Sequence, residues 1–391
     1  MDNCADPEIL SEINHSWTHS KRPTFGIAVA DWACIFDQNK IHDPTVGHVM
    51  AKFRLGIIGL GMAVSPHAQA LIDLRDTVEV VYAFSPSVSR RAAFAERYDF
   101  PVCDSLDVLL QDQTIDAILI LTPPNTHLEI VRQCVKAGKH VLLEKPLDVT
   151  TARAKALISV CREAGVTLGI VLQHRFKPAA TKLADMFAEG DLGDIVSCST
   201  SICLWRPQSY YDEPGRGTLS RDGGGVLITQ GIHTLDLMLS FVGPAAEVSG
   251  YATTTTLHQM EGEDLVCAGV RFRNGAIGTI NATTSAYPGF PERIDFICQN
   301  ATASLVGNSV DIFWHDGRTF HWKTSENAGG TGADPMAFSH HSHRSVIADF
   351  IEAVRHKRSP QVTGDAVLSV HHLIDALLKS SEKNCPVIVA D

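Results

Sequence analysis

From Phe53 onward the chain alternates short apolar runs with stretches of helical periodicity. The runs extend from Phe53 to Ile58, Val78 to Phe84, Ala117 to Leu121, His140 to Leu143 and Thr167 to Val171. Between them lie helix-like segments around Ala68 to Leu74, Val88 to Tyr98, His127 to Ala137 and Thr151 to Ala164. Strands in series joined by crossover helices predict a doubly wound parallel sheet, an α/β architecture. After Gln173 the runs lengthen and alternate, as from Leu265 to Phe272 and Ala276 to Ser285, which flank an Asn274-Gly275 hairpin turn. Helical spacing returns from His343 to Arg355 and from Asp365 to Ser380. The second part is therefore expected to be an α+β domain with a large, mostly antiparallel open sheet. Such a sheet needs its open face covered, which predicts a homodimer or homotetramer packed through it.

Residues 1–49 sustain neither period, and the character changes at Met50-Ala51-Lys52. The expected division is an N-terminal extension at 1–52, a parallel domain at 53–173 and the α+β domain at 174–391. Two readings of the extension stay open: a start codon placed too early, or an arm that wraps a neighbouring subunit.

Composition narrows the class. At 391 residues the chain exceeds what one core organises, and 45% apolar with 20% charged residues describes an ordinary globular protein. A net charge of -11 without clustered Lys and Arg excludes nucleic acid as a partner. The first residues carry no basic start or apolar core of a leader, and no run is read as long enough to span a membrane, so a cytoplasmic protein with no membrane partner is expected. Ten cysteines occur without a C-x-x-C pair. Cys134, Cys161 and Cys267 fall in apolar patterns, which reads as reduced, mostly buried thiols. The nearest approach to a zinc pair, Cys198 with Cys203, shares one strand without partners, so no metal is expected.

Gly59-Leu60-Gly61-Met62-Ala63-Val64 follows the first strand and precedes a helix. Glycines there permit a tight turn and let backbone N–H groups approach a pyrophosphate, with Val64 at the third glycine position. In the context of five serial strands this predicts a Rossmann dinucleotide-binding domain, with Gly59, Leu60, Gly61 and Met62 against the cofactor. The second strand ends in Phe84-Ser85-Pro86-Ser87, and no acidic residue follows before Glu96. An NAD site commonly places Asp or Glu about 20 residues past the glycines, whereas Ser85 and Arg90, with Ser87 and Arg91, suit a 2′-phosphate. The cofactor is therefore NAD(P), with the balance towards NADP; a solvated helix start is the plainer reading of Arg90 and Arg91. Later strand ends carry Thr122, Pro123, Asn125 and His127, then Glu144 and Lys145, then Gln173, and all are candidate cofactor contacts.

Ala137-Gly138-Lys139-His140-Val141-Leu142-Leu143-Glu144-Lys145-Pro146, together with the glycine turn and Thr122-Pro123-Pro124-Asn125-Thr126-His127, resembles the signature of the Gfo/Idh/MocA oxidoreductases. The resemblance runs from about Phe53 to the C-terminus. It extends to Tyr210-Tyr211, Arg216-Gly217-Thr218 and the stretch from Gly223-Gly224-Gly225 through Gln230 and His233 to Asp236. Gly215 stands where similar sequences carry tryptophan, and Thr229 where inositol dehydrogenases place an aspartate. The resemblance implies a small-molecule sugar, nucleotide-sugar or polyol substrate.

Oxidising a secondary alcohol needs a proton acceptor, and His233 suits that role while Lys145 stabilises the developing alkoxide. Together they are the expected catalytic pair, with Asp236 placed to orient His233. Arg175, Tyr211, Arg216, Thr229 and His233 are the candidate substrate contacts. Without the family context His233 would read as a core histidine on the face of Ile232, Leu235 and Met238. The tract His340-His341-Ser342-His343 reads as the start of a surface helix. A dinucleotide-dependent glycosidase and a non-enzymatic dinucleotide sensor are the alternative readings.

Overall fold

The computed structural model describes residues 51–324, 331–332 and 338–390; the N-terminal extension lies outside them. Strands β1 (Phe53–Ile58), β2 (Val78–Phe84), β3 (Ala117–Ile120), β4 (His140–Glu144) and β5 (Leu168–Val171) form one sheet in the order β2-β1-β3-β4-β5. All four pairings are parallel. Every residue of β3 is buried, as a strand covered on both faces requires.

The crossovers are α1 (Val64–Asp73), α2 (Val88–Tyr98), α3 (Leu106–Gln111), α4 (His127–Lys136) and α5 (Thr151–Glu163). Helix α1 begins earlier than its apolar spacing indicates, because the glycine turn feeds straight into it. Pro66 is tolerated there because its missing N–H lies in the first turn. Ser87 caps α2 by accepting a hydrogen bond from the Arg90 N–H, and Thr150 caps α5 through the Arg153 N–H. Helix α3 was not anticipated, since six residues are too few to display a helical period.

After α6 (Pro178–Ala188) the chain builds a nine-stranded sheet from β6 (Ile195–Cys203), β7 (Ala245–Thr253), β8 (Leu265–Phe272), β9 (Ile277–Thr283), β10 (Arg293–Cys298), β11 (Ala301–Val306), β12 (Ser309–Trp314), β13 (Thr319–Lys323) and β14 (Val387–Ile388). Its order is β13-β12-β11-β10-β6-β9-β8-β7-β14, antiparallel except where β6 meets β9. The β8–β9 hairpin turns at Asn274-Gly275, with Gly275 at φ 90°. One face packs on helices; the other exposes Tyr251, Ile277, Ile297 and Phe313.

The segment Leu219–Val242 is long and apolar enough to cross a membrane by composition, which corrects the expectation that no run is. The short helix α7 (Gln208–Tyr211) precedes it, the short helix α8 (Leu219–Asp222) opens it, and it ends in α9 (Ile232–Val242). Most of it, 72% of its most apolar window, is buried inside the protein, so it is a core element.

Helices α10 (His341–His356) and α11 (Gly364–Lys383) return to the parallel sheet. Helix α10 packs on α1, β4 and β5, while α11 bridges α5 and β7. A Cβ on Gly169 of β5 would stand 2.7 Å from the Phe350 ring, and the Ile170 N–H donates to the Val362 carbonyl. The C-terminal helices thus serve both sheets, and packing does not divide cleanly at residue 173.

Burial pushes the thiols of Cys134, Cys161 and Cys198 up to about 12 and that of Cys298 to about 11. Cys267, expected in an apolar pattern, is instead exposed on β8.

Several histidines are buried and held neutral. Burial lowers His127, takes His371 down to about 4, and takes His343 down to about 3. The unfolded chain, with histidines near 6.5, then binds more protons than the folded one below that pH. Stability is therefore expected to fall as pH drops below about 6.5, by about 1.4 kcal/mol per pH unit for each such histidine until its folded value is reached. Urea unfolding at a series of pH values between 7.5 and 5 tests this on the protein, with His371→Leu removing one share of the slope. A stability independent of pH across that window would show that these histidines are not held neutral.

Candidate active site

The strand order reverses between β1 and β3, which opens a crevice at the carboxyl ends of the strands. Gly59 sits there at φ 103°, and a Cβ on it would stand 2.6 Å from the Leu121 carbonyl carbon. Gly61 has nothing within 4 Å of its Cβ position, so its backbone borders open space. Helix α1 starts at this turn with Ala63 at its cap, no side-chain cap hydrogen bond and no acidic residue in its first turn. The Val64 N–H donates to the Gly61 carbonyl at 3.2 Å and Pro66 has none, so what this helix start offers an anion is chiefly its positive dipole end. Across the crevice the Gln173 side-chain Oε1 is buried without a partner among the described residues. An open backbone cradle at one end and an orphaned amide at the other fit a dinucleotide. Leu60 points into the core and Met62 is exposed.

The remaining candidates around this crevice separate into two groups. Ser85 is buried, its Oγ accepting from the Ser87 N–H and its carbonyl accepting from Arg91, which also pairs with Asp104. Arg90 is exposed and its guanidinium has no partner among the described residues. The Thr122 hydroxyl accepts from Thr126, Pro123 precedes a short helical turn, and Asn125 is exposed. His127 corrects the expectation of a ribose contact. It is fully buried, with Nδ1 3.0 Å from the Pro146 carbonyl oxygen and Nε2 2.9 Å from that of Thr122, so it braces two strand ends.

At the end of β4, the Glu144 carboxylate meets His67 Nε2 at 2.7 Å through one oxygen and accepts the Lys145 N–H at 3.0 Å through the other. Burial alone would raise this carboxyl, but the hydrogen bond and charge of His67, with Lys145, hold it below its ordinary value. His343 of α10 packs edge-on against His67, with ring centroids 4.9 Å apart. His67, Glu144 and His343 bring potential ligand atoms within 4.8 Å of one another, a cluster that sequence reasoning missed when it placed no metal ligands. Three distant segments supply it, and both oxygens of its carboxylate already have partners. The tract does open α10, as expected, and His341 is exposed there, but His343 turns inward and is buried.

The Lys145 ammonium donates to the Thr229 carbonyl at 2.6 Å, joining the parallel sheet to the second half of the chain. Thr229 lies in a π-helical turn, Leu227–Gly231, which runs into α9 and its His233. The Thr229 hydroxyl itself donates back to the Gly225 carbonyl at 2.6 Å and faces Gln230, so this residue reaches Lys145 through its backbone. Glu263 holds the turn in place, accepting the Gly225 and Leu227 N–H groups at 3.0 Å each. Gly225 is required for that approach, since a Cβ there would stand 1.8 Å from the Glu263 carbonyl oxygen. Nothing in the local sequence around Glu263 marks this role.

His233 Nδ1 is buried without a partner among the described residues. Burial, then the nearby Lys145 ammonium, then His174 and Lys177, hold its proton affinity well below an ordinary imidazole. Its ring lies 4.9 Å from that of His174, tilted by 31°. Asp236 does not orient it. Both Asp236 oxygens instead bind Arg175, at 2.7 and 2.6 Å, in a buried bidentate pair. Arg175 is therefore a clamp between the end of β5 and α9 and corrects its assignment to substrate.

Tyr211 is likewise buried, its hydroxyl donating to Thr284 at 2.8 Å, and burial raises its phenol. Its neighbour Tyr210 is the one whose hydroxyl meets the Gln230 amide, and the Arg216 guanidinium lies 4.2 Å over the Tyr210 ring. Arg216 also pairs with Glu213. The two tyrosines are adjacent in sequence, and only their burial tells them apart.

The family model described as "Oxidoreductase family, NAD-binding Rossmann fold" matches residues 53–171, and the GFO/IDH/MocA C-terminal domain matches residues 180–304. The chain is 27% identical over 337 residues to D-xylose 1-dehydrogenase (NADP(+)) 2 of Haloferax volcanii, covering 85% of this chain and 98% of that protein. It is 25% identical to myo-inositol 2-dehydrogenase of Thermotoga maritima, covering 80% and 91% of the two chains. Among solved structures, the WlbA dehydrogenase from Bordetella pertussis in complex with NADH and UDP-GlcNAcA superposes with a TM-score of 0.74 at 26% identity, over 88% of this chain and 99% of that one. With both family domains matched in order on a parallel sheet followed by an open antiparallel one, the chain belongs to the Gfo/Idh/MocA family of oxidoreductases.

Proposed function

We propose that this protein is an NADP-preferring dehydrogenase or ketoreductase that interconverts a secondary alcohol and a ketone on a sugar, nucleotide sugar or cyclitol. The observation that carries the reading is the pairing of the Lys145 ammonium, anchored on the Thr229 carbonyl, with a neutral His233 whose buried Nδ1 has no partner among the described residues. A bound nicotinamide supplies the acceptor or donor for the hydride. The chain's own groups manage the proton. His233, kept neutral, takes the proton from the substrate hydroxyl, and the hydroxyl satisfies its orphaned nitrogen. Lys145 spends one N–H on Thr229 and has two more with which to stabilise the developing alkoxide. In the ketone-to-alcohol direction the same groups act in reverse.

The cofactor preference rests on the end of β2, where the strand itself ends without a carboxylate, Asp104 is paired with Arg91, and the exposed Arg90 guanidinium has no partner among the described residues. Residues 53–173 supply the dinucleotide crevice and residues 174–391 the substrate side, with α10 and α11 packing back onto the former. The exposed face bearing Tyr251, Ile277, Ile297 and Phe313 supports a homodimer or homotetramer formed through the large sheet.

Lys145→Ala and His233→Ala are each expected to lower kcat by about 100- to 10,000-fold while reduced-dinucleotide binding, followed by fluorescence, is retained. Full turnover in both variants removes the assigned roles. Gly59→Ala, strained at positive φ and in collision with Leu121, is expected to lose about 1–3 kcal/mol of stability. Gly61→Ala, with open space around it, should stay within about 0.5 kcal/mol of the parent yet weaken dinucleotide binding. Equal stability losses in the two variants would contradict the cradle. NADPH should bind more tightly than NADH, and Arg90→Ala should erase roughly tenfold of that preference; a wild-type preference for NADH defeats the 2′-phosphate argument.

A further inference from the structure

One residue along from His233 in sequence, Thr234 joins His174, Lys177 and Glu292 in lining a small cavity of about 20 Å³, with an apolar back wall that includes Leu237 and Ile294. That volume accommodates a single oxygen-sized group. The polar groups around it are poised but not joined. Lys177 Nζ is 3.7 Å and His174 Nδ1 3.6 Å from the same Glu292 oxygen, both beyond hydrogen-bond length. The other Glu292 oxygen is fixed by the Thr234 hydroxyl, which donates to it at 2.6 Å. The carboxylate therefore cannot swing to close the gap.

A cation, an imidazole nitrogen and a carboxylate oxygen set around a gap of one oxygen atom share a partner that both donates and accepts. An alcohol hydroxyl does both, donating to Glu292 while accepting from Lys177. A simple cation would leave Lys177 opposed, and a simple anion would oppose Glu292. The cavity also shares a wall with the proposed reacting centre, since the His174 ring lies 4.9 Å from that of His233.

We propose that His174, Lys177, Thr234 and Glu292 form a subsite for a second hydroxyl of the substrate, so that the protein selects polyols over simple secondary alcohols. The inference rests on the reading of the chain as a sugar or cyclitol oxidoreductase. Lys177 and Glu292 act on the substrate here and not on the transferred proton. None of the four carried this role in the sequence, because the turn after β5, the residue capping α6, helix α9 and the residue before β10 come together only in the fold.

The test separates binding from turnover. D-glucose, D-xylose, myo-inositol and the monodeoxy analogues of D-glucose and myo-inositol are titrated by calorimetry into the protein loaded with reduced dinucleotide, where the alcohols bind without reacting. The same panel is then assayed for turnover with oxidised dinucleotide. For a polyol that binds, one deoxy position should weaken affinity by about 10- to 100-fold. Lys177→Met and Glu292→Gln should lose that factor for the parent polyol and nothing further for that one deoxy analogue. Should Lys177→Met fail to fold, Glu292→Gln and Thr234→Val carry the same comparison. Variants that weaken the parent and every deoxy analogue equally, or none of them, overturn the subsite and leave the gap to an ordered water. Selective binding without turnover upholds the subsite and defeats the oxidoreductase reading, whereas turnover without hydroxyl selectivity does the reverse. A protein that neither binds nor turns over any polyol of the panel defeats both.

Discussion

The hydrogen bond from Lys145 to the Thr229 carbonyl is the contact on which the arrangement of the site depends. It joins the end of a parallel strand to a π-helical turn across the cleft, so the position of one catalytic candidate is set by the backbone that leads to the other. Each end of this link is braced. On one side Glu144 accepts the Lys145 N–H and is itself held by His67. On the other, Glu263 accepts two N–H groups at the start of the turn. A charged donor on a backbone acceptor is stronger than a neutral pair, but its larger consequence is geometric. Neither Lys145 nor His233 can move without disturbing a satisfied hydrogen-bond network.

The same region concentrates positive charge around neutral imidazoles. Lys145 and Lys177 both depress the proton affinity of His233 and of His174, after burial itself. Histidines so placed remain unprotonated in the interior, and the field that keeps them free to receive a proton also weakens their hold on it. Thr229 brings no further carboxylate into this field. Glu144 and Glu292 are the acidic side chains placed to balance it, and each has a defined hydrogen-bond partner.

How far the sequence revealed this depends on the range of the interactions involved. The parallel strands were legible almost to the residue: β1 and β2 match their apolar runs end for end, because largely buried strands read as apolar runs in which Arg54 and Glu79 are the single charged interruptions. Helix α2 was equally legible, with Ser87 and Asp99 as its punctuation. Glu144-Lys145-Pro146 and His233 could be picked out because they lie in contiguous motifs. What failed was the assignment of side chains whose neighbours come from elsewhere. Arg175, Tyr211 and His127 all fall in the motif regions, yet each is consumed by a buried partner invisible to local spacing.

The converse failures share that cause. Glu263, His67, Lys177 and Glu292 carry no local signal, and the contacts with Gly225, with Glu144 and between Lys177 and Glu292 that give them importance span large separations in sequence. Helix α10 illustrates the point most fully. Its apolar period predicted a helix, but no period could predict that it would turn back past the open sheet to lay His343 against His67 and Phe350 against β5. That return places residues from the beginning and the end of the chain on the same side of Glu144. The signature motif is therefore only the middle layer of the site, and its geometry is inherited from helices more than 70 residues before and nearly 200 residues after it.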